Sequence, residues 1–214
     1  PPDRPRPPRP SHAGAVVQVD VEPAVVRGLR AVARSTEASV FMALHAAAAV
    51  LMRAVTGSSD VVLGAPVAGR DEEATADLVG FFVNTLALRT EVTGSASLAD
   101  TLRTVRDADL AAFAHADVPF DEVVAHLAPE RSAARHPLFQ VMVSHHTGPL
   151  VDTDRLPETP AKFDVVFNAT EDTGGERLTL QLEYATDLYD ASTARTLADR
   201  FLLVLAALAR TPER

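Results

Sequence analysis

Apolar residues recur along this chain both in short continuous runs and in longer stretches with helical spacing. Residues 60–66 and 83–92 form runs bounded by turn residues, which is typical of strands covered on both faces of a sheet. Residues 40–55 are apolar or alanine on nearly every side, which predicts a buried helix. Ser39 is a suitable residue to begin this helix, and Gly57 is suitable to end it.

The remaining periodic segments alternate between strands and helices. Proline lies in the first turn of the first helix, Ser97 and Asp100 begin a later one, and Pro119 begins a short one. Strands are predicted at residues 15–19, 138–144, 163–169 and 178–184, and helices at residues 23–34, 97–115, 119 onward and 192–209. Strands interleaved with helices predict an α/β fold with a mixed β-sheet flanked by helices.

The composition of the chain excludes several classes of function. A chain of 214 residues with 47% hydrophobic and 23% charged residues has the balance of one packed domain. The formal net charge of −9 opposes a nucleic-acid partner, because phosphate binding needs clustered lysine and arginine. The absence of cysteine excludes disulfides, thiolate zinc sites and a cysteine nucleophile. With no signal peptide and no apolar run of the roughly 20 residues that cross a bilayer, we expect a cytoplasmic location, no membrane contact and no metal.

The first ten residues contain six prolines and no apolar core. Proline removes backbone donors and restricts its neighbours, so residues 1–13 are predicted to be an extended linker that precedes a domain at residues 14–210. A proline-rich ligand for a small adaptor module is the alternative interpretation.

Four motifs then appear in fixed order: Gly-Ala-Pro-Val-Ala-Gly-Arg at residues 64–70, Gly-Phe-Phe-Val-Asn-Thr-Leu-Ala-Leu-Arg at 80–89, Asp-Val-Pro-Phe at 117–120 and Arg-His-Pro-Leu-Phe-Gln-Val-Met at 135–142. Together they resemble the second half of a nonribosomal peptide synthetase condensation domain. The resemblance implies one chloramphenicol-acetyltransferase-like lobe of a two-lobed pseudo-dimer. It extends from the proline-rich linker to the closing segments Lys-Phe-Asp at 162–164 and Tyr-Ala-Thr-Asp-Leu-Tyr-Asp at 184–190.

The resembled family joins two carrier-bound amino acids through an amide bond, with a His-His-x-x-x-Asp-Gly motif in its first half. That motif is absent from this sequence, so the resemblance implies no catalytic residue here and an inactive isolated lobe. The implied partners are the N-terminal condensation lobe, the upstream and downstream peptidyl carrier proteins, and an adjacent adenylation domain. No cofactor is expected to bind this chain directly, since phosphopantetheine belongs to the carrier proteins.

The resemblance also assigns site residues. Arg70 would pair with the aspartate of the missing motif, and Asn84 would face the substrate channel and orient a thioester carbonyl or an oxyanion. Gly69, Thr85 and Gln140 would line the channel. Three of these assignments have a plainer alternative: Arg70 as a solvated arginine, Asn84 bonded to neighbouring backbone, and Gln140 bonded to a nearby loop.

The histidines invite a catalytic interpretation that the spacing rejects. His145 and His146 precede Asp152, but five residues separate His146 from Asp152 where the family has three, and Thr153 replaces the glycine. We interpret the pair as surface histidines at a strand end, and His45 and His126 as structural.

Two alternative functions stay open. One is a condensation-like module that recruits a tailoring enzyme to a carrier-bound peptide, and the other is an acyltransferase that makes esters or acylates a small amine. In either case an isolated lobe is expected to expose an apolar cleft face.

Overall fold

The computed structural model describes residues 1–68, 79–80, 82–148 and 159–213. Within those residues the strands are β1 (Ala13–Val21), β2 (Asp60–Val67), β3 (Asn84–Glu91), β4 (Val141–Thr147), β5 (Thr159–Pro160), β6 (Val165–Glu171) and β7 (Leu178–Ala185). The helices are α1 (Pro23–Ser35), α2 (Val40–Thr56), α3 (Leu98–Phe113), α4 (Phe120–Leu127) and α5 (Ala191–Arg210). The predicted α/β class with a mixed sheet is confirmed.

The described strands form one sheet in the order β3-β2-β4-β6-β7-β1-β5. Strand β4 is parallel to both β2 and β6, whereas β2–β3, β6–β7 and β7–β1 are antiparallel pairs. Because Val67 lies opposite Asn84, the last residue of β2 and the first residue of β3 are neighbours at one end of the sheet, where the first two family-like motifs meet.

The main core lies between the sheet and the layer formed by α1, α2, α3 and α5. Ten of the 17 residues of α2 are buried, as its apolar surface predicts. Ser39 accepts a hydrogen bond from the Met42 backbone N–H at 3.1 Å, and Gly57 ends the helix in the left-handed conformation with a φ of 77°. No single helix among the described residues is long and apolar enough to span a membrane, although the bent pair α1 and α2 passes a test of length and composition.

Strand β3 corrects one expectation. We predicted a strand covered on both faces, but within the described residues β3 is paired only with β2 and forms an edge of the sheet. Leu86, Leu88 and Thr90 are buried, whereas Arg89 and Glu91 are exposed. Arg89 and Glu91 occupy the second face, as strand alternation requires, whereas the polar Asn84 and Thr90 share the first face with Leu86 and Leu88.

The sheet face away from the helix layer carries a row of polar side chains. Ser144, Asn168, Gln181 and Gln18 are mutually opposite residues of β4, β6, β7 and β1, and they form one polar row across the sheet. Ser144 donates its hydroxyl to the Asn168 amide oxygen, and Gln181 donates to Gln18 at 3.0 Å. Met142 and Val166 lie on the same face, so it carries apolar as well as polar residues, and the exposed apolar cleft face stays a prediction.

Candidate functional site

Asn84, the first residue of β3, holds the connection between α3 and α4. Its side-chain amide nitrogen donates to the backbone oxygens of Ala116 at 2.9 Å and Val118 at 2.7 Å. Its amide oxygen accepts from the backbone nitrogens of Thr85 at 2.8 Å and Phe120 at 3.1 Å. Both donors and both acceptor positions of the amide are thus used by backbone groups.

This arrangement matches the alternative in which the Asn84 amide is satisfied by neighbouring backbone. An amide in this state has no hydrogen-bonding group left for a thioester carbonyl, so the direct contact that we expected has no support here. Asn84 instead joins two family-like motifs, because the loop that it binds contains Asp-Val-Pro-Phe at residues 117–120. A supporting role for Asn84 in a site stays a prediction.

Thr85 lies on the other face of the sheet. Leu86 packs towards Phe113 on the helix-covered face, and the alternation of β3 directs Thr85 away from it. Thr85 is half-buried and lies opposite Pro66 of β2. Two other predicted site residues, Gly69 and Arg70, lie outside the described residues.

An aromatic cluster adjoins this end of the fold and follows from the fourth motif. The ring of His136 lies 4.3 Å from that of Phe139 and 5.2 Å from that of Phe120, and Phe139 stacks on Phe163 at 5.4 Å. A Cβ atom at Gly64 would overlap the Phe139 ring, so this strand position requires glycine. Burial lowers the pKa of His136, because the apolar rings disfavour its charged form.

Gln140 lies just before β4, next to the aromatic cluster. Its side-chain nitrogen donates to the backbone oxygen of His136 at 2.7 Å, which is the loop contact that we gave as its alternative. Its backbone oxygen accepts from the backbone nitrogen of Asp164 at 2.9 Å. Gln140 therefore orders the segment that enters β4, and its predicted place in the channel stays untested.

Sequence reasoning missed a buried hydrogen-bond partner. We interpreted His45 as structural with no acid at a telling interval, but its Nδ1 lies 2.8 Å from Oδ1 and 3.1 Å from Oδ2 of Asp109. Both side chains are completely inaccessible to solvent, and Nε2 of His45 has no partner among the described residues. The two residues are 64 positions apart, on α2 and α3, so no local spacing could have indicated the pair.

Comparison with known proteins decides the family. A family model for the condensation domain matches residues 1–214. The chain belongs to the condensation-domain family. It is 38% identical over 230 residues to the dimodular nonribosomal peptide synthase of Bacillus subtilis (strain 168), with 100% of this chain and 10% of that protein covered. The curated relative is thus far longer than this condensation-domain chain.

Solved structures agree with this assignment. The X-domain from teicoplanin biosynthesis has a TM-score of 0.91 and 26% identity, covering 100% of this chain and 51% of its own. The same domain in complex with OxyB has a TM-score of 0.90 and 26% identity, with 49% of its own chain covered. The condensation-domain chain described here thus spans about half the length of these neighbours.

The histidine doublet His145-His146 lies on β4 and does not have the spacing of the family's catalytic motif. Nε2 of His145 lies 3.1 Å from Oε2 of Glu171, and Arg30 forms an ion pair with the same carboxylate. His146 is exposed. Burial, together with the nearby His146 and Arg30, lowers the pKa of His145. In the described part of the chain, no three His, Asp or Glu side chains are grouped as metal ligands would be.

Proposed function

We propose that this chain is the C-terminal lobe of a nonribosomal peptide synthetase condensation domain, with residues 1–13 as the inter-lobe linker and residues 14–210 as the lobe. One observation supports this most directly: the family match runs through the whole chain, yet the sequence contains no His-His-x-x-x-Asp-Gly. The chain also covers 51% of the X-domain, which leaves a remainder of similar size for a preceding lobe. That lobe would carry the histidine motif.

In the complete domain the histidine of the preceding lobe would position or deprotonate the acceptor amine. The amine nitrogen attacks the carbonyl carbon of the donor thioester and forms a tetrahedral intermediate. The C–S bond then breaks, the amide forms, and the released thiolate of the donor arm takes up a proton. Both acyl groups are substrates carried on phosphopantetheine arms of the upstream and downstream peptidyl carrier proteins, beside an adenylation domain.

This lobe would supply one wall of the channel between the two arms. Arg70 would pair with the motif aspartate of the preceding lobe, because a carboxylate at a closed interface needs a charged partner. Gly69, Thr85 and Gln140 would line or shape the channel. Asn84 would act one step removed from the substrates, through the loop that it holds between α3 and α4.

The test uses loaded donor and acceptor carrier proteins and detects the product by mass spectrometry of the intact carriers. The chain joined to its preceding lobe is expected to transfer the donor acyl group, whereas the 214-residue chain alone is not. Arg70→Ala in the joined protein should lower the rate by roughly 10- to 100-fold, as expected for a misplaced catalytic group. Wild-type activity in that variant would refute the role of Arg70, and condensation by the chain alone would refute the lobe assignment.

A second candidate function is a condensation-like module that recruits a tailoring enzyme and catalyses nothing. The observation that favours this candidate is the similarity to the teicoplanin X-domain, which has been solved in complex with OxyB. The carrier-protein assay distinguishes the two candidate functions, condensation and recruitment. A joined protein that binds a tailoring enzyme of its own pathway but forms no amide would support recruitment over condensation.

A further inference from the structure

The proline-rich segment before β1 is bound to the lobe along its length. We call residues 3–11 the strap. At its first residue, the Asp3 carboxylate accepts hydrogen bonds from the Asp190 backbone nitrogen at 2.7 Å and the Thr193 hydroxyl at 2.9 Å. At its last residue, Ser11 donates its backbone N–H and its hydroxyl to Asp187 at 2.7 and 2.8 Å. Both ends of the strap are therefore attached to the segment that precedes α5.

The centre of the strap is held by Arg6. Its guanidinium donates to both carboxylate oxygens of Asp164, with Nη1 at 2.8 Å from Oδ1, and Nη1 also donates to the Ala134 backbone oxygen at 3.1 Å. The side chains of Arg6 and Asp164 are only 19% and 12% exposed. Paired bonds of this kind fix the orientation of both groups, and partial burial shields them from solvent screening.

The backbone of Asp164 is fixed by hydrogen bonds that do not involve the strap. Its backbone nitrogen donates to the Gln140 oxygen at 2.9 Å, and its backbone oxygen accepts from the Ala185 nitrogen at 3.0 Å. The side chain of Gln140 fixes the loop through His136, close to the Ala134 oxygen that Arg6 contacts. The binding site for the Arg6 side chain is thus formed by the segments before β4 and β6 and by the end of β7.

The prolines of the strap make this binding less costly. Prolines at positions 5, 7, 8 and 10 restrict the unbound segment to extended conformations, so ordering it loses less conformational entropy. The other strap arginine, Arg4, pairs with Asp190, but these side chains are 41% and 58% exposed. Exposed pairs contribute little, so Arg6 carries the central attachment.

We propose that the strap is a fixed part of this lobe, and that Arg6 and Asp164 are positioning residues that set where the preceding lobe is held. The pivot between the lobes then lies before Asp3, not within the proline-rich segment. This inference rests on the proposed function. It replaces the expectation of a simple tether, because the strap is attached at both ends and at its centre.

The first test measures strap attachment without any assay of activity. The sequence has no cysteine, so Pro8→Cys and Arg200→Cys give a single pair of nitroxide labels in the 214-residue chain. Pulsed electron paramagnetic resonance should report a narrow distribution of label-to-label distances in the otherwise wild-type chain. That distribution should broaden in Arg6→Ala and in Asp164→Ala. Arg4→Ala is the matched control and should stay narrow. A broad distribution in the otherwise wild-type chain, or a narrow one in Arg6→Ala, would overturn the proposal that Arg6 attaches the strap to the lobe.

The second test uses the chain joined to its preceding lobe and the carrier-protein assay. Arg6→Ala should lower kcat by roughly 10- to 100-fold with little change in KM, because reacting groups are displaced while the binding surfaces persist. Arg6→Lys should recover part of the loss, since it keeps the charge without the paired bonds. A released strap with unchanged kcat would overturn the positioning role. An attached strap in a wild-type domain that forms no amide would overturn only the proposed function.

Discussion

The buried pair of His45 and Asp109 gives the sharpest stability prediction. Nδ1 of His45 donates to a carboxylate that is completely buried, so the pair is not screened by solvent. Asp109→Ala would leave both ring nitrogens of His45 buried without partners and would open a cavity between α2 and α3. Leaving a buried hydrogen-bonding group without its partner costs about 1–3 kcal/mol, and more when the group is charged, which for a chain of this size corresponds to roughly 2–12 °C in Tm.

The assay is urea unfolding of the 214-residue chain, with the slope m checked for constancy. Asp107→Ala is the matched control, because it makes the same change on the same helix at a side chain that is 66% exposed. Asp109→Asn keeps one acceptor for Nδ1 and should lose less than Asp109→Ala, so it stays measurable where the alanine variant fails to fold. A loss in Asp109→Ala no larger than that in Asp107→Ala would refute the reasoning.

The other predictions concern the motif cluster and the dependence on pH. Gly64→Ala forces the Phe139 ring from its place and should cost about 1–3 kcal/mol, measured by urea unfolding; an unchanged midpoint would contradict the close approach. Asn84→Ala should speed amide hydrogen exchange in residues 116–120, and unchanged exchange would show that its three hydrogen bonds to that loop do not hold it. The lowered pKa values of His136 and His145 mean that the unfolded chain binds protons first as the pH falls below about 6.5, so stability should fall from there. Replacing both with glutamine should flatten that fall, whereas an equally steep fall would assign it to other groups.

Local signals explain which parts of the fold could be predicted. Ser39 and Ser97 cap α2 and α3 through bonds to the backbone three residues later, and Gly57 ends α2 at a left-handed residue. These are short-range effects of residue type, so the sequence pattern located the helices well. Strand β4 begins at Val141, three residues later than predicted, because Phe139 packs in the aromatic cluster before the strand starts.

The contacts that define the candidate site are instead long-range. Three of the four partners of Asn84 lie 32 to 36 residues away, and Arg6 finds Asp164 at a separation of 158. Motif resemblance singled out Asn84 and Gln140 as important positions, but the pattern could not tell a channel-facing amide from one bonded to backbone. That difference depends on where the sheet ends, and in particular on β3 lying at an edge.

The most direct test of the account is the coding sequence immediately upstream of Pro1. The account predicts an open reading frame that continues into a preceding lobe with an intact His-His-x-x-x-Asp-Gly. A start codon at the linker, or a preceding frame without that motif, would contradict the assignment of this chain as half of an amide-forming condensation domain.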